Sequence, residues 1–324
     1  MNILITGASG FIGTHLTKDL TSQGHHVYAM KRNHHRSSSI SNTSPHIVPN
    51  NEPFYWSPSQ NQIHYDKSIL IDVVIHLAGA GIADKRWTPA RKKVILESRT
   101  QGTQLLAQTL ADLSLKLRPK LFLSSSGIGY YGNTGDQTAT ETTSAGSDFI
   151  SDICKQWEAA TQPAQDAGIP TVHLRTGLVL STQGGALSKM LIPFKLGLGG
   201  RIGNGKQYMS WISLSDYLRA ITFLVNQSED NGEGDGERIQ NAVNFVSPHP
   251  ISNAEFSKHL AKSLGRPCLF PLPAIVSKII LGEMAESLLL TSNRIVPQVL
   301  LNSGFQFEDI DCFQTLKSLN ATGQ

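Results

Sequence analysis

Apolar residues in the first third of the chain switch repeatedly between two periods. Asn2–Thr6 (NILIT) is a short apolar run ending at a glycine turn, and Phe11–Ser22 then carries helical spacing at Phe11, Ile12, Leu16 and Leu20. Gly24 ends that helix, and His26–Lys31 reads as the next strand. Strand, helix, strand within so short a stretch is a βαβ unit, which calls for parallel strands covered by helices. Asn33–Gln62, rich in Ser, Asn, Pro and His, shows no clean period and is predicted to be mostly loop with at most one short strand. The rhythm then resumes. Strands are predicted at Asp72–Leu77, Lys120–Ser125 and Thr171–Arg175, with helices at Pro89–Leu113 and Asp148–Gly168.

Past Val179 the pattern becomes irregular. A glycine-rich loop (Gly197–Gly205) precedes a helix at Leu214–Val225, an acidic loop at Gln227–Arg238 and a strand at Ala242–Val246. A helix at Asn253–Leu264, capped by Ser252, comes next, and proline-punctuated segments run to the end. The fold class expected is α/β: a Rossmann-type doubly wound parallel sheet over 1–180, with a smaller C-terminal substrate-binding region over 181–324 from which some segments return to the sheet domain.

Composition adds mainly exclusions. With 40% hydrophobic and 16% charged residues, the chain has the make-up of a soluble globular protein. A net charge of +3 with scattered cations implies neither nucleic acid nor membrane as partner. Its three cysteines form no metal-ligand spacing and no disulfide framework, so no metal site is expected and a reducing cytoplasm fits. No apolar run reaches the length of a membrane helix, and because a strand pattern begins at once no targeting segment is expected ahead of it.

The chemistry begins at the first turn. Gly7, Gly10 and Gly13 have the spacing GxxGxxG, directly after a strand and opening a helix, with Ser9, Phe11 and Ile12 completing the turn. Gly7 allows the tight turn, Gly10 lets backbone approach a pyrophosphate, and Gly13 lets the helix pack close to the strand. The helix N-terminus then offers N–H groups to the phosphates. The second strand ends in Met30-Lys31-Arg32-Asn33, two cations and no carboxylate. A carboxylate there would hold the ribose 2′-hydroxyl of NAD, whereas cations suit the 2′-phosphate of NADP, so NADP(H) is expected ahead of NAD(H).

These residues resemble the extended, epimerase/dehydratase branch of the short-chain dehydrogenase/reductase superfamily. Leu77-Ala78-Gly79 looks like its strand-end motif, Ser124-Ser125-Ser126 with Tyr131-Gly132 resembles its serine motif, and Trp211 to Asp216 is similar to its late helix entry. Ile82 through Trp87, Gly129-Tyr130-Tyr131-Gly132, Trp157-Glu158, Leu174-Arg175-Thr176-Gly177 and Gly197 to Gly200 narrow the likeness to an atypical, YfcH-like epimerase family. The resemblance implies that Leu77, Ala78 and Gly79 line the adenosine side of the cofactor. It also implies that Arg99 stands where most members have an Asn, and that Val179 lies near the nicotinamide. Ser126 and Tyr131 become the candidate catalytic residues. Lys85, Arg86 and Trp87, which follow a strand end, become candidate substrate contacts.

One part of the pattern is missing. Typical members carry Tyr-x-x-x-Lys, whose lysine lowers the tyrosine pKa for proton transfer. None of the seven tyrosines here has a lysine four residues later, and the aligned positions read Ile150 and Cys154. Two readings stay open. In the favoured one an oxidoreductase- or epimerase-like enzyme has moved its acid–base function to Tyr130, Tyr131, the Lys85-Arg86 loop or Cys154. In the other, a catalytically silent NADP(H)-binding protein acts as a sensor or regulatory module. The partners expected are a small metabolite, sugar- or anion-bearing, and at most a second copy of the chain in a homodimer.

Overall fold

Ile3, Leu4 and Ile5 have no exposed surface, and neither have Val73, Val74 and Ile75. Strands apolar at every position are those of a parallel sheet covered on both faces. The protein, analysed as a computed structural model, is described over residues 1–32, 52–228 and 239–322. Its fold is mixed α/β on a large, mainly parallel sheet, as the periodicity implies. The acidic loop expected over Gln227–Arg238 lies almost wholly outside the described residues. Two compact units make up the chain. The first contains Met1–Ala80, Glu97–Ser124 and Ala160–Thr171; the second contains Gly81–Leu96, Ser125–Ala159 and Val172–Gln324.

In the first unit β1 (Asn2–Thr6) is followed by α1 (Phe11–Ser22) and β2 (His26–Arg32). After them come β3 (Phe54–Ser57), β4 (Gln62–Tyr65), β5 (Val73–His76), the long helix α2 (Pro89–Ala111) from Glu97 onward, and β6 (Leu121–Gly127) as far as Ser124. The strands are ordered β6-β5-β1-β2-β3-β4. β1 pairs in parallel with β2 on one side and β5 on the other, so the order reverses at β1, where open α/β sheets place ligands. Leu16 and Leu20 bury α1 against the sheet. Gly102 lets α2 close on Trp56, whose ring carbon would lie 3.3 Å from a Cβ added there.

The described part of the segment expected to be mostly loop holds one short strand, β3, and ends where β4 begins at Gln62. β3 runs parallel to β2 and antiparallel to β4. The Ser, Asn and Pro content masks the cause: Phe54, Trp56 and Tyr65 are buried together in the core with Leu106, Leu110 and Phe122, and aromatic residues favour a half-buried pleated surface.

In the second unit the helix expected over Asp148–Gly168 is interrupted. α3 (Phe149–Ala159) ends before α4 (Gln162–Asp166), which falls in the first unit and starts with Pro163 in its first turn, the position proline tolerates. β7 (Thr171–Thr176) pairs in parallel with Asn241–Phe245, which sets Arg175 beside Asn244. Leu178–Leu180 pairs with Trp211–Ser213, and α5 (Gly185–Lys195) lies between them in sequence. Ser213 caps α6 (Leu214–Gln227) by accepting from the Asp216 N–H at 3.0 Å. Ser252 and Glu255 form a reciprocal capping box on α7 (Asn253–Ser263), so the cap expected from the sequence is in place. Asp216, fully buried, accepts from Arg219 at 2.5 Å and from the backbone N–H groups of Glu308 and Asp309. One carboxylate thereby fixes the start of the last segment.

Candidate functional site

The turn between β1 and α1 is shaped by close approach. Gly7 has φ of 73°, in the region that favours glycine, and a Cβ there would lie 2.9 Å from the Leu77 carbonyl carbon. A Cβ on Gly13 would collide with the Gly7 carbonyl and lie 2.8 Å from the Ala8 Cα. Gly10 donates to the Gly7 carbonyl at 2.9 Å and is the N-cap of α1, and among the described residues its own position offers no side-chain cap. Ser9 and Gly10 are exposed and Phe11 and Ile12 half-buried, so backbone N–H groups and the positive helix end face outward. The cradle fits a pyrophosphate.

Its rim is held by a buried relay absent from the sequence reading. His76 Nδ1 lies 2.7 Å from Thr6 Oγ1 and its Nε2 lies 2.9 Å from Thr103 Oγ1, tying the ends of β1 and β5 to α2. Burial pushes the His76 pKa down to about 3, so the ring is neutral. The N–H of Ala78 donates back to Thr6 Oγ1 at 3.3 Å. Arg99, buried on α2, donates to the Ala80 carbonyl at 3.0 Å and packs beneath Gly79. The structure thus brings Gly7 to Gly13, Leu77 to Gly79 and Arg99 together.

Lys31 and Arg32 stand exposed just beyond the Thr6–Met30 register pair. Lys31 is ion-paired with Glu52, which enters from the segment before β3. A carboxylate therefore does reach the end of β2, from 21 residues away, and it neutralises one of the two cations there. Val179, buried, belongs to the second unit and pairs with Ile212.

The second unit holds a buried polar network. Ser126, at the end of β6, donates to Glu158 Oε1 of α3 at 2.7 Å. Arg175 of β7 grips both oxygens of Glu158 at 2.8 Å, and its third arm donates to the Tyr131 hydroxyl at 2.9 Å. Tyr131 in turn donates to Asn244 Oδ1 at 2.7 Å, while the Tyr130 ring lies 3.4 Å from the guanidinium carbon of Arg175. Burial holds the Tyr131 pKa up at about 12, against the downward pull of Arg175. Burial also opposes the charge on Arg175, but Glu158 more than offsets it and the pKa is raised.

The Tyr131 phenol, a catalytic candidate from the resemblance, is buried and bonded on both sides, to Arg175 and to Asn244. Ser126 keeps its oxygen lone pairs, but its proton is directed at Glu158. Glu158, Arg175 and Asn244 were in the sequence as family marks or strand residues. Only the fold shows that they meet.

Ile150 and Cys154 point α3 into a glycine-lined surface. A Cβ on Gly129 would strike Ile150, and one on Gly127 would lie 3.8 Å from the Cys154 sulfur. Both residues belong to an apolar cluster with Ile95, Ile153 and Met284. Trp87 is in that cluster too, with its indole N–H donating to the Ile82 carbonyl at 2.9 Å and its ring edge-on to Phe149. Trp87, expected as a substrate contact, is thus packed in an apolar cluster, while its charged neighbours lie at the surface. Lys85 and Arg86 are exposed, Arg86 beside Gly282. Among the described residues, no three His, Cys, Asp or Glu side chains gather as a metal would require, and no helix is long and apolar enough to cross a membrane.

Comparison with known proteins decides the family. The model of the NAD dependent epimerase/dehydratase family matches residues 3–240, and that of a domain of unknown function, DUF1731, matches 272–319. The chain belongs to the NAD dependent epimerase/dehydratase family. Among its relatives, the epimerase family protein Mb2239 of Mycobacterium bovis is 36% identical over 305 residues, covering 94% of this chain and 93% of the relative. YfhF of Bacillus subtilis is 34% identical over 322 residues, covering 99% and 98%. Among solved structures in this family, that of human epimerase family protein SDR39U1 (isoform2) with NADPH superposes with a TM-score of 0.80 at 28% identity, covering 99% of both chains. The extended epimerase/dehydratase resemblance read from the sequence is thus borne out.

Proposed function

We propose that this chain is an NADP(H)-binding member of the atypical, YfcH-like branch of the family, a cytoplasmic oxidoreductase- or epimerase-like enzyme acting on a small metabolite. The observation that carries the reading is the glycine cradle, where Gly7 and Gly13 admit no side chain and the first turn of α1 is turned outward. Gly7, Ser9, Gly10, Phe11, Ile12 and Gly13 hold the pyrophosphate, Leu77, Ala78 and Gly79 the adenosine, and Arg99 fixes that strand end from below. Arg32 meets the 2′-phosphate, with Lys31 shared between it and Glu52. NADPH bound to the human relative supports the choice of nucleotide.

When bound, the nicotinamide supplies a hydride donor or acceptor. In this reading Ser126 offers its oxygen to a substrate group, while Glu158, Arg175 and Tyr131 hold that serine in place. Lys85 and Arg86 attract an anionic or sugar-like substrate. A second reading, a protein that holds NADP(H) without turnover, is favoured by Ile150 and Cys154, which put an apolar side chain and a buried thiol where the usual dyad has its tyrosine and lysine.

Calorimetric titration with NADPH and NADH tests the binding. NADPH binds more tightly, and Arg32→Ala weakens NADPH about tenfold or more while leaving NADH unchanged, the loss of one charge-assisted contact. A preference for NADH, or an unchanged NADPH affinity, overturns the assignment. Screening metabolites for oxidation of bound NADPH separates enzyme from sensor: turnover that Ser126→Ala abolishes supports the first, and no turnover with any metabolite supports the second.

A further inference from the structure

The exposed apolar side chains are not scattered. Ile192, Leu196 and Leu198 lie at the end of α5 and just beyond it. Leu269 and Phe270 lead into α8 (Ala274–Leu281), which exposes Ile275, Val276, Ile279 and Ile280. Backbone bonds join the two stretches: Leu272 donates to Arg201 and Gly203 donates to Leu272, both at 2.9 Å, and a Cβ on Gly197 would lie 3.9 Å from Pro267. All belong to the second unit.

The helix α8 is inside out. Ser277 is its inward residue, 1% exposed, while Ile275 and Ile279 are 72% and 69% exposed. A soluble helix puts its apolar stripe inward, and a contiguous exposed apolar patch marks an interaction site.

Charge selects the occupant. Residues 184–206 contain Lys189, Lys195, Arg201 and Lys206 and no carboxylate; residues 256–282 contain Lys258, Lys262, Arg266 and Lys278 and no carboxylate. Glu286 pairs with Lys278 and Asp84 approaches Lys189, and both carboxylates come from outside these stretches. The whole-chain balance of +3 hides this segregation. A second copy docking through the same patch would set like charges against each other. An anionic lipid surface accepts both features, taking irregular apolar side chains between its headgroups and cations at its phosphates. At about 1.5 Å per residue α8 is far too short to span a bilayer and would lie in the interface.

We propose that the surface formed by the end of α5, residues 267–272 and α8 docks on an anionic membrane surface, replacing the expectation of no membrane partner. The proposal is independent of what the nucleotide site does.

Sedimentation of the full-length protein with vesicles of phosphatidylcholine alone, or mixed with phosphatidylglycerol, tests it. The protein partitions onto the mixed vesicles, and rising salt releases it. Each cation near an anionic leaflet is worth about a fivefold gain, so Lys195→Glu, two charge units, lowers the partition about twentyfold or more. Ile275→Glu/Ile279→Glu lowers it about a hundredfold or more, Ile279→Ser lowers it less in the same direction, and Leu115→Glu in the first unit leaves it unchanged. Failure to bind either vesicle overturns the proposal, as does equal binding to both, or binding that survives the isoleucine substitutions. Lipid-free self-association that those substitutions abolish overturns it in favour of a second copy.

Discussion

Replacing Glu158 with glutamine removes one charge and changes almost no volume. In the native protein that carboxylate accepts three hydrogen bonds, one from Ser126 and two from the guanidinium of Arg175. Its side chain is 10% exposed and that of Arg175 is 6% exposed, so water screens neither. In the Glu158→Gln variant the new amide nitrogen faces one arm of Arg175, donor against donor, and the guanidinium is left buried beside a neutral group. Breaking a buried pair in this way costs about 3–5 kcal/mol, whereas replacing both partners by apolar groups of similar shape is close to neutral. Urea unfolding of Glu158→Gln, Arg175→Met and Glu158→Gln/Arg175→Met therefore forms a cycle with a large coupling energy, the double variant lying nearer to wild type than the sum of the single ones. The Arg175 variants also take one donor from Tyr131, which retains its own bond to Asn244. A loss below about 1 kcal/mol for Glu158→Gln, or strictly additive losses, would refute the view that the pair is a buried clamp behind Ser126.

Gly13→Ala places a methyl group against the Gly7 carbonyl. It should abolish detectable NADPH binding in calorimetry and cost about 1–3 kcal/mol of stability by overpacking; a variant that binds normally would contradict the cradle. His76 titrates near 3 in the folded state and near about 6.5 unfolded, so between those values the unfolded chain holds the extra proton and stability rises with pH. Lowering the pH from about 7 to about 5 should cost wild type about 2 kcal/mol more than His76→Gln in urea midpoints, and equal losses would remove His76 from the account. Asp216→Ala strands the N–H groups of Glu308 and Asp309 and the guanidinium of Arg219. It should cost about 2–4 kcal/mol and speed limited proteolysis near residue 308, with an unchanged cleavage pattern counting against the clasp.

What could be read from the sequence was what is local in it. The β1–α1 turn is a contiguous strand, glycine turn and helix, and every contact that demands its glycines lies in that turn or at the strand end Leu77–Ala78. Its form was legible residue by residue. The Glu52 partner of Lys31 was not, because β3 brings it from outside the βαβ unit. The polar network was hidden for the same reason: Ser126, Glu158, Arg175 and Asn244 come from four elements, and no spacing relates them. Tyr131 and Trp87 show a different obstacle. Trp87 follows Lys85 and Arg86 and Tyr131 lies between Tyr130 and Gly132, but burial is decided by the side-chain direction of single residues, which a mixed run of residue types does not reveal. The segregation of cations around the exposed apolar patch was invisible in the net charge because two separated acid-free stretches are averaged with the acidic remainder.

The passage of the chain between its two units sets an order of assembly during translation. The first unit has its last segment once Thr171 has left the ribosome. The second by then has only Gly81–Leu96 and Ser125–Ala159, so Trp87, Ile150, Ile153 and Cys154 are synthesised long before Met284, which completes their cluster. Glu158 must wait for Arg175, 17 residues later, and Tyr131 for Asn244, 113 residues later. Apolar surface left uncovered during synthesis invites aggregation. The nascent chain thus carries an incomplete second unit through nearly half its elongation, the interval in which its apolar surface is open to aggregation.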